Sequence, residues 1–204
     1  MGTSRMESFS DGVMAVAITL LVLGITVPTP DAHHSLISEL GRRWPAYAAY
    51  VTSFLTIGII WINHHAMISR LEDSDHQIKI LNLLLLMTIG VLPFATNLMA
   101  TYLRQSSGQA VAAAIYSGSL LVMSLAFSAL NRLILLHRAH MITGALSLEQ
   151  RRRILASSLI GLVPYAVATA LAFVSPYVTL GICAAVALYY AQPTASGAER
   201  GRAS

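Results

Sequence analysis

Arg5, Glu7, Ser10 and Asp11 lie within two helical turns of one another at the head of an otherwise apolar stretch, "RMESFSDGVMAVAITLLVLGITVP". A cation, two carboxylates and a hydroxyl at that spacing can share a hydrogen-bonded network, and with an imidazole they can pass a proton. Two imidazoles, His64 and His65, stand in "WINHHAMISR". Ionisable groups at membrane depth are costly unless paired or wet, about 2.5–3.5 kcal/mol each at a helix centre on insertion scales. One reading has Asp11 held by Arg5 and an imidazole, fastening the segment that carries it to the segment that carries His64 and His65. The other has Ser10 and Asp11 capping a helix N-terminus, with the histidines resting at the interface, where amphipathic rings are tolerated. Adjacent histidines point in different directions on a helix, so no joint metal site is expected. His137 and His140, at i, i+3 around Arg138, fit a metal pair or a solvated basic helix end. The single cysteine, Cys183, forms no disulfide within the chain and founds no cysteine metal site. No GxSxG, P-loop, HExxH or TVGYG signature occurs, so no catalytic residue and no enzyme activity is assigned, and no cofactor is expected.

The elements that must position these groups are membrane helices. The chain has 204 residues, 55% of them hydrophobic and 11% charged, with a mean hydropathy of +0.65; soluble domains carry about 25% charged residues. An all-α integral membrane protein follows. A span needs about 20 apolar residues, and six candidates run over about 8–27, 45–68, 78–102, 110–136, 154–174 and 177–191. Pro28 and Pro30 stop the first, Pro45 opens the second, "QSSGQ" at 105–109 parts the third from the fourth, and Ser175-Pro176 links the last two. Pro93 and Pro164 fall inside spans, where membrane helices tolerate them. The layout is one transmembrane domain over 1–192 and a disordered tail over 193–204. The first span is too long for a secretory h-region and lacks a small-residue cleavage site, so it is expected to be retained. With six spans, Arg5, Arg70, Lys79, Arg132, Arg138, Arg151, Arg152, Arg153, Arg200 and Arg202 share one side, ten against Arg42, Arg43 and Arg104 on the other. That bias places both termini in the cytoplasm and accounts for the net charge of +4 without a nucleic-acid partner. "RRR" at 151–153 is an inside anchor that also suits anionic lipid.

Beyond Gly12, Val16, Thr19, Leu20 and Leu23 form one stripe at i, i+3, i+4, i+7. In a wholly apolar helix such a stripe is equally a lipid-facing or packing face, and Thr19 can simply bond its own backbone. Asn82, Asn97 and Asn131 are read as hydrogen-bonding glue between helices.

The opening stretch resembles the transmembrane protein 175 family of endolysosomal potassium channels through Arg5, Phe9, Ser10 and Asp11, an Arg-x-x-x-Phe-Ser-Asp motif. Trp61 and His64 are similar to the family's Trp-x-x-His pattern. The resemblance implies a potassium channel without a pore loop, whose first helices line a central pore. It implies a bacterial inner-membrane homotetramer, because the motif occurs once; "AFSAL" at 126–130 lacks the aspartate. It further implies a hydrophobic constriction at Val16, Leu20 and Leu23, a pore-facing hydroxyl at Thr19, and an Arg–His–Asp network at Arg5, Asp11 and His64 or His65, with Ser10 beside them. Val16 is smaller than the Ile or Leu that the family leads one to expect. The partners so implied are potassium ions, membrane lipid and further copies of the chain. A competing expectation is a proton-coupled secondary transporter that uses Asp11 and His64 as a relay; it calls for inverted repeats, and none is visible in the sequence.

Overall fold

The computed structural model describes residues 3–29, 35–105, 107–143 and 147–192. The expected tail, with Arg200 and Arg202, and the Pro30 stop lie outside the described residues. Within them the chain is helical, and the one β-bridge, Leu71 to Ile142, joins two loops.

The first helix, α1 (Thr3–Leu20), tightens into a 3-10 turn at Leu21–Gly24. A short helix, α2 (Leu36–Arg42), lies between the first two expected spans, capped by the Ser35 hydroxyl. Helix α3 (Trp44–Ile68) opens with Pro45 in its first turn, where a missing N–H costs nothing. Helix α4 (His76–Tyr102) is capped by Asp75, whose Oδ1 accepts from Ile78 N–H at 2.9 Å. Helix α5 (Gln109–Arg132) runs on through a π turn at Leu133–His137. Gly108 precedes α5 at φ +83°, and a Cβ there would lie 2.8 Å from Tyr102 Cδ1, so conformation and space both call for glycine.

By length and composition, Thr3–Gly24, Trp44–Ile68, His76–Tyr102 and Gln109–His137 are long and apolar enough to cross a membrane. The expected fifth span, 154–174, is instead broken into α6 (Leu148–Ile160) and α7 (Leu162–Leu171). Pro164 explains the break, because it cannot donate to the Ile160 carbonyl and its ring crowds that group. With Gly161 as the joint, the helix restarts there. The last helix, α8 (Pro176–Ala191), is capped by Ser175 and is likewise shorter than a full span.

Helix α4 lies at the centre, packing on α1, α3 and α5, while α7 and α8 close the far side against α5 and α3. Ile78, Leu85, Ile89, Leu92, Ala95 and Met99 of α4 are fully buried. Inside this apolar core, Ser53 Oγ lies 2.8 Å from Thr96 Oγ1 and 3.0 Å from Tyr116 hydroxyl, joining α3, α4 and α5. Thr179 Oγ1 donates to the Ala168 carbonyl at 3.0 Å and joins α8 to α7. At one end of the bundle Arg138 clamps the loops, paired to Asp75 and donating to Gln77 Oε1 at 2.9 Å. At the other, Arg43 donates to the Thr26 carbonyl at 2.6 Å, tying α3 to the segment after α1.

Candidate functional site

Helix α1 has two unlike faces. Met6, Ser10, Met14, Ala17 and Leu21 are buried at i, i+4, i+8, i+11 and i+15, a helical stripe that packs on α3 and α4. The opposite face is bare in the single chain. Of the most apolar window of Thr3–Gly24, 28% is buried, against 39% for each of the other three long helices. Val16, Leu20 and Leu23 are 58%, 44% and 71% exposed, and Thr19 stands exposed beside them. The Thr19 hydroxyl donates to the Val16 carbonyl at 2.9 Å. In the 3-10 turn each residue advances about 120° rather than 100°, so side chains three apart eclipse. Leu23 therefore sits in line above Leu20, about 6 Å along the axis at a 2.0 Å rise. An open apolar groove follows the same face, lined by Phe9, Gly12, Val16 and Leu20 with Gly90 of α4.

The polar groups sort into a dry chain and a wet rim. In the dry chain, Ser10 Oγ donates to the Met6 carbonyl at 2.8 Å and accepts from Asn82 Nδ2 at 2.9 Å. Asn82 Oδ1 lies 2.7 Å from His64 Nε2. Ser10, Asn82 and His64 are all essentially inaccessible. Since an amide oxygen only accepts, His64 must carry its proton on Nε2. Its Nδ1 is then a buried acceptor, with no partner among the described residues. In the wet rim, Trp61 Nε1 donates to Asp11 Oδ1 at 2.9 Å, and His65 Nδ1 lies 2.8 Å from Glu7 Oε1. Both rim pairs run between α1 and α3.

The expected Arg5–Asp11–imidazole network does not form within one chain. Arg5 is exposed and makes no hydrogen bond or ion pair among the described residues. Asp11 is taken by an indole, because Trp61 lies one turn before His65 on the α3 face that meets α1. The two histidines part company as their adjacency requires, His64 inward to α4 and His65 outward to Glu7. No hydrogen bond links Asp11 to His64. Among the described residues no group of three His, Cys, Asp or Glu side chains is placed to hold a metal; His137 ends the π turn after α5, and His140 lies in a separate 3-10 turn, Ala139–Met141.

Sequence reasoning has Asn82 as hydrogen-bonding glue between helices, as found, but not its partners Ser10 and His64; it also misses Trp61 as the partner of Asp11. A depth argument finds the partners of Asn82. Ser10 is seven residues into α1, Asn82 six into α4 and His64 four before the end of α3. At about 1.5 Å per residue these lie about 6–10 Å from one end of the bundle.

Residues 5–93 match the family described as endosomal/lysosomal potassium channel TMEM175. A Streptomyces collinus protein named a potassium channel is 43% identical over 188 residues, covering 92% of this chain and 91% of the relative. A Chamaesiphon minutus protein, also named a potassium channel, is 38% identical over 197 residues, covering 93% of each chain. The crystal structure of a lysosomal potassium-selective channel TMEM175 homologue from Chamaesiphon minutus matches with a TM-score of 0.83 at 37% identity, covering 96% of this chain and 98% of that one.

Proposed function

The chain belongs to the TMEM175 family of endosomal/lysosomal potassium channels, and on that premise we propose that it conducts potassium through a pore lined by α1. The observation that carries this reading is the division of α1 into a fastened face and a bare one. Ser10, Asp11 and Glu7 tie the helix to α3 and α4, while Val16, Thr19, Leu20 and Leu23 stay uncovered. Four copies of the chain around an axis would turn each bare residue into a ring. The homotetramer is supported by the single copy of the Phe-Ser-Asp motif, and the groove beside Gly90 is the natural seat for a neighbouring subunit.

Rings of Leu20 and Leu23 offer no oxygen to replace water lost from a passing cation. The barrier then follows the cost of dehydration, and potassium sheds water more readily than sodium, so moderate potassium preference results without tight coordination. Such rings also gate by dewetting. Thr19, one turn from Leu23, supplies a hydroxyl beside these rings. The reading needs no cofactor and no catalytic group, and potassium enters only as the permeant ion. Six crossings, with α6–α7 as the fifth and α8 as the sixth, set both termini on the Arg-rich side, which in a bacterial inner membrane is the cytoplasm.

The test is cation flux from liposomes holding the purified protein, with potassium and sodium gradients compared. Flux that rises without saturating and is larger for potassium is expected. Saturable flux that requires a proton gradient would overturn the proposal and favour the coupled carrier using Asp11 and His64.

A further inference from the structure

Helix α1 ends without the usual finishing devices. Gly24 does not take the left-handed conformation of a C-cap, Gly108 being the one described residue at positive φ. Neither α1 nor the 3-10 turn Leu21–Gly24 has a basic residue in its last turn. The chain leaves at Ile25, at φ −91° and ψ 94°, where the Ile25 N–H donates to the Val22 carbonyl at 2.9 Å. A cation is brought from elsewhere. Arg43, the residue before α3, donates from Nη1 to the Thr26 carbonyl at 2.6 Å and to the Thr26 hydroxyl. Its charge lies just past the carbonyl end of α1, where the helix dipole favours a cation.

The turn that Arg43 closes carries Leu23. Leu21 is buried, and Gly24 lies against α4, where a Cβ would meet Asn97 Cβ and Oδ1 at 3.5 Å. These contacts fix the bundle side of the turn. Leu23 itself is 71% exposed, so the backbone that carries it decides where it points. A 3-10 turn has poorer hydrogen-bond geometry than an α-helix and rises about 2.0 Å per residue against about 1.5 Å. Relaxing Leu21–Gly24 to α-helix would shorten the turn by about 2 Å and draw Thr26 away from Arg43. It would also swing Leu23 about 60° out of line with Leu20, because three residues advance about 300° in an α-helix and about 360° in a 3-10 turn. The strap from Arg43 opposes both changes.

We propose that Arg43 is a positioning residue for the constriction: by holding Thr26 it keeps the last turn of α1 in 3-10 geometry, with Leu23 in line with Leu20. The inference rests on the reading of α1 as the pore-lining helix and adds the side chain that aims its second apolar ring. Arg104 provides a comparison within the fold. Its Nη1 makes the same kind of bond, 2.7 Å to the Arg42 carbonyl, but that bond steadies the end of α2 rather than the segment after α1.

The experiment is the reversal potential of patches containing the purified protein, with potassium on one side and sodium on the other. Arg43→Gln should move it from the wild-type value part of the way to that of Leu23→Ala, and should add nothing once residue 23 is alanine. Arg43→Lys, which keeps a charged donor, should stay closer to wild type than Arg43→Gln. Arg104→Gln, which removes a charge at the same end of the bundle, should match wild type. Arg43→Gln matching wild type would overturn the proposal. So would an equal shift in Arg104→Gln, or an equal shift by Arg43→Gln in the wild-type and Leu23→Ala backgrounds, because either would mean that Arg43 does not act through Leu23. A wild type without potassium preference, or one that Leu23→Ala leaves unchanged, would overturn the pore reading and this inference together. Elution of each variant at the wild-type volume checks that the assembly is intact.

Discussion

Replacing Asn82 by leucine removes the connector of the dry chain while keeping a side chain of similar size, and the structure says which partner suffers. Ser10 loses an incoming donor at 2.9 Å but still donates to the Met6 carbonyl. His64 fares worse. Its Nδ1 has no partner among the described residues to begin with, and loss of the 2.7 Å bond to Asn82 Oδ1 leaves a fully buried ring with neither nitrogen paired among them. An orphaned buried polar group costs about 1–3 kcal/mol, whereas one hydrogen bond between membrane helices is worth about 0.6 kcal/mol on average and at most about 1.7. Asn82→Leu should therefore destabilise by about 2 kcal/mol, and Ser10→Ala by less, about 1, since it orphans the Asn82 Nδ2 donor but leaves the Asn82–His64 bond standing. The assay is reversible unfolding in mixed micelles titrated with dodecyl sulfate, followed by the fluorescence of Trp44 and Trp61, both on α3. Ser10→Ala costing as much as Asn82→Leu would refute the reasoning, because it would mean that the histidine is not the group Asn82 satisfies.

Three further outcomes use the same titration. Gly108→Ala should cost about 1–2 kcal/mol, the penalty for a Cβ in the left-handed region, with the Tyr102 contact adding to it; a neutral result would contradict the close approach. Trp61→Phe should cost about 1 kcal/mol, because the Asp11 carboxylate loses its indole donor but remains partly wet; it should rank below Asn82→Leu. Asp75 is held below its ordinary carboxyl pKa of 3.8, chiefly by the Ile78 N–H and then by Arg138. Its folded pKa is depressed, so the stabilisation is complete above that ordinary value and disappears as pH falls through the lowered one. Asp75→Asn, which keeps an acceptor for the cap, should be less stable than wild type by a constant gap from pH 7 to about pH 5, and the gap should narrow as pH falls below about 4. A gap that does not narrow there would show that the charge is not what matters.

Much of the fold could be read from hydropathy because four spans are long and uninterrupted. The fifth expected span differs in one respect: it is interrupted at Gly161, because Pro164 leaves the Ile160 carbonyl without its helical donor, while Gly161 itself stays right-handed helical at φ −63° and ψ −20°. Periodicity alone does not separate the α1 stripe at Val16, Thr19, Leu20 and Leu23 from its neighbours. Packing does, by burying Met14, Ala17 and Leu21 on the other side. The polar mouth was legible as a set of groups and illegible as a wiring. Residue types said that Asp11 needs a donor, and charge favoured Arg5. The relative rotation of α1 and α3, which no local pattern encodes, delivered Trp61. Asn82 is legible as glue between helices but its partners are not, because they are 72 and 18 positions away in the chain and only a comparison of depths in three helices brings them together.

The most direct measurement is the reversal potential of a patch containing the purified protein, with potassium on one side and sodium on the other, for wild type and Leu23→Ala. Leu23 is 71% exposed on the bare face of α1 and far from the anchoring groups at the other end of the helix, so its truncation should spare the fold and widen the constriction. A wild-type reversal potential displaced toward that of potassium, moved toward zero by Leu23→Ala, is the expected result. The same displacement in wild type and in Leu23→Ala would show that selectivity resides elsewhere than in the apolar rings of α1.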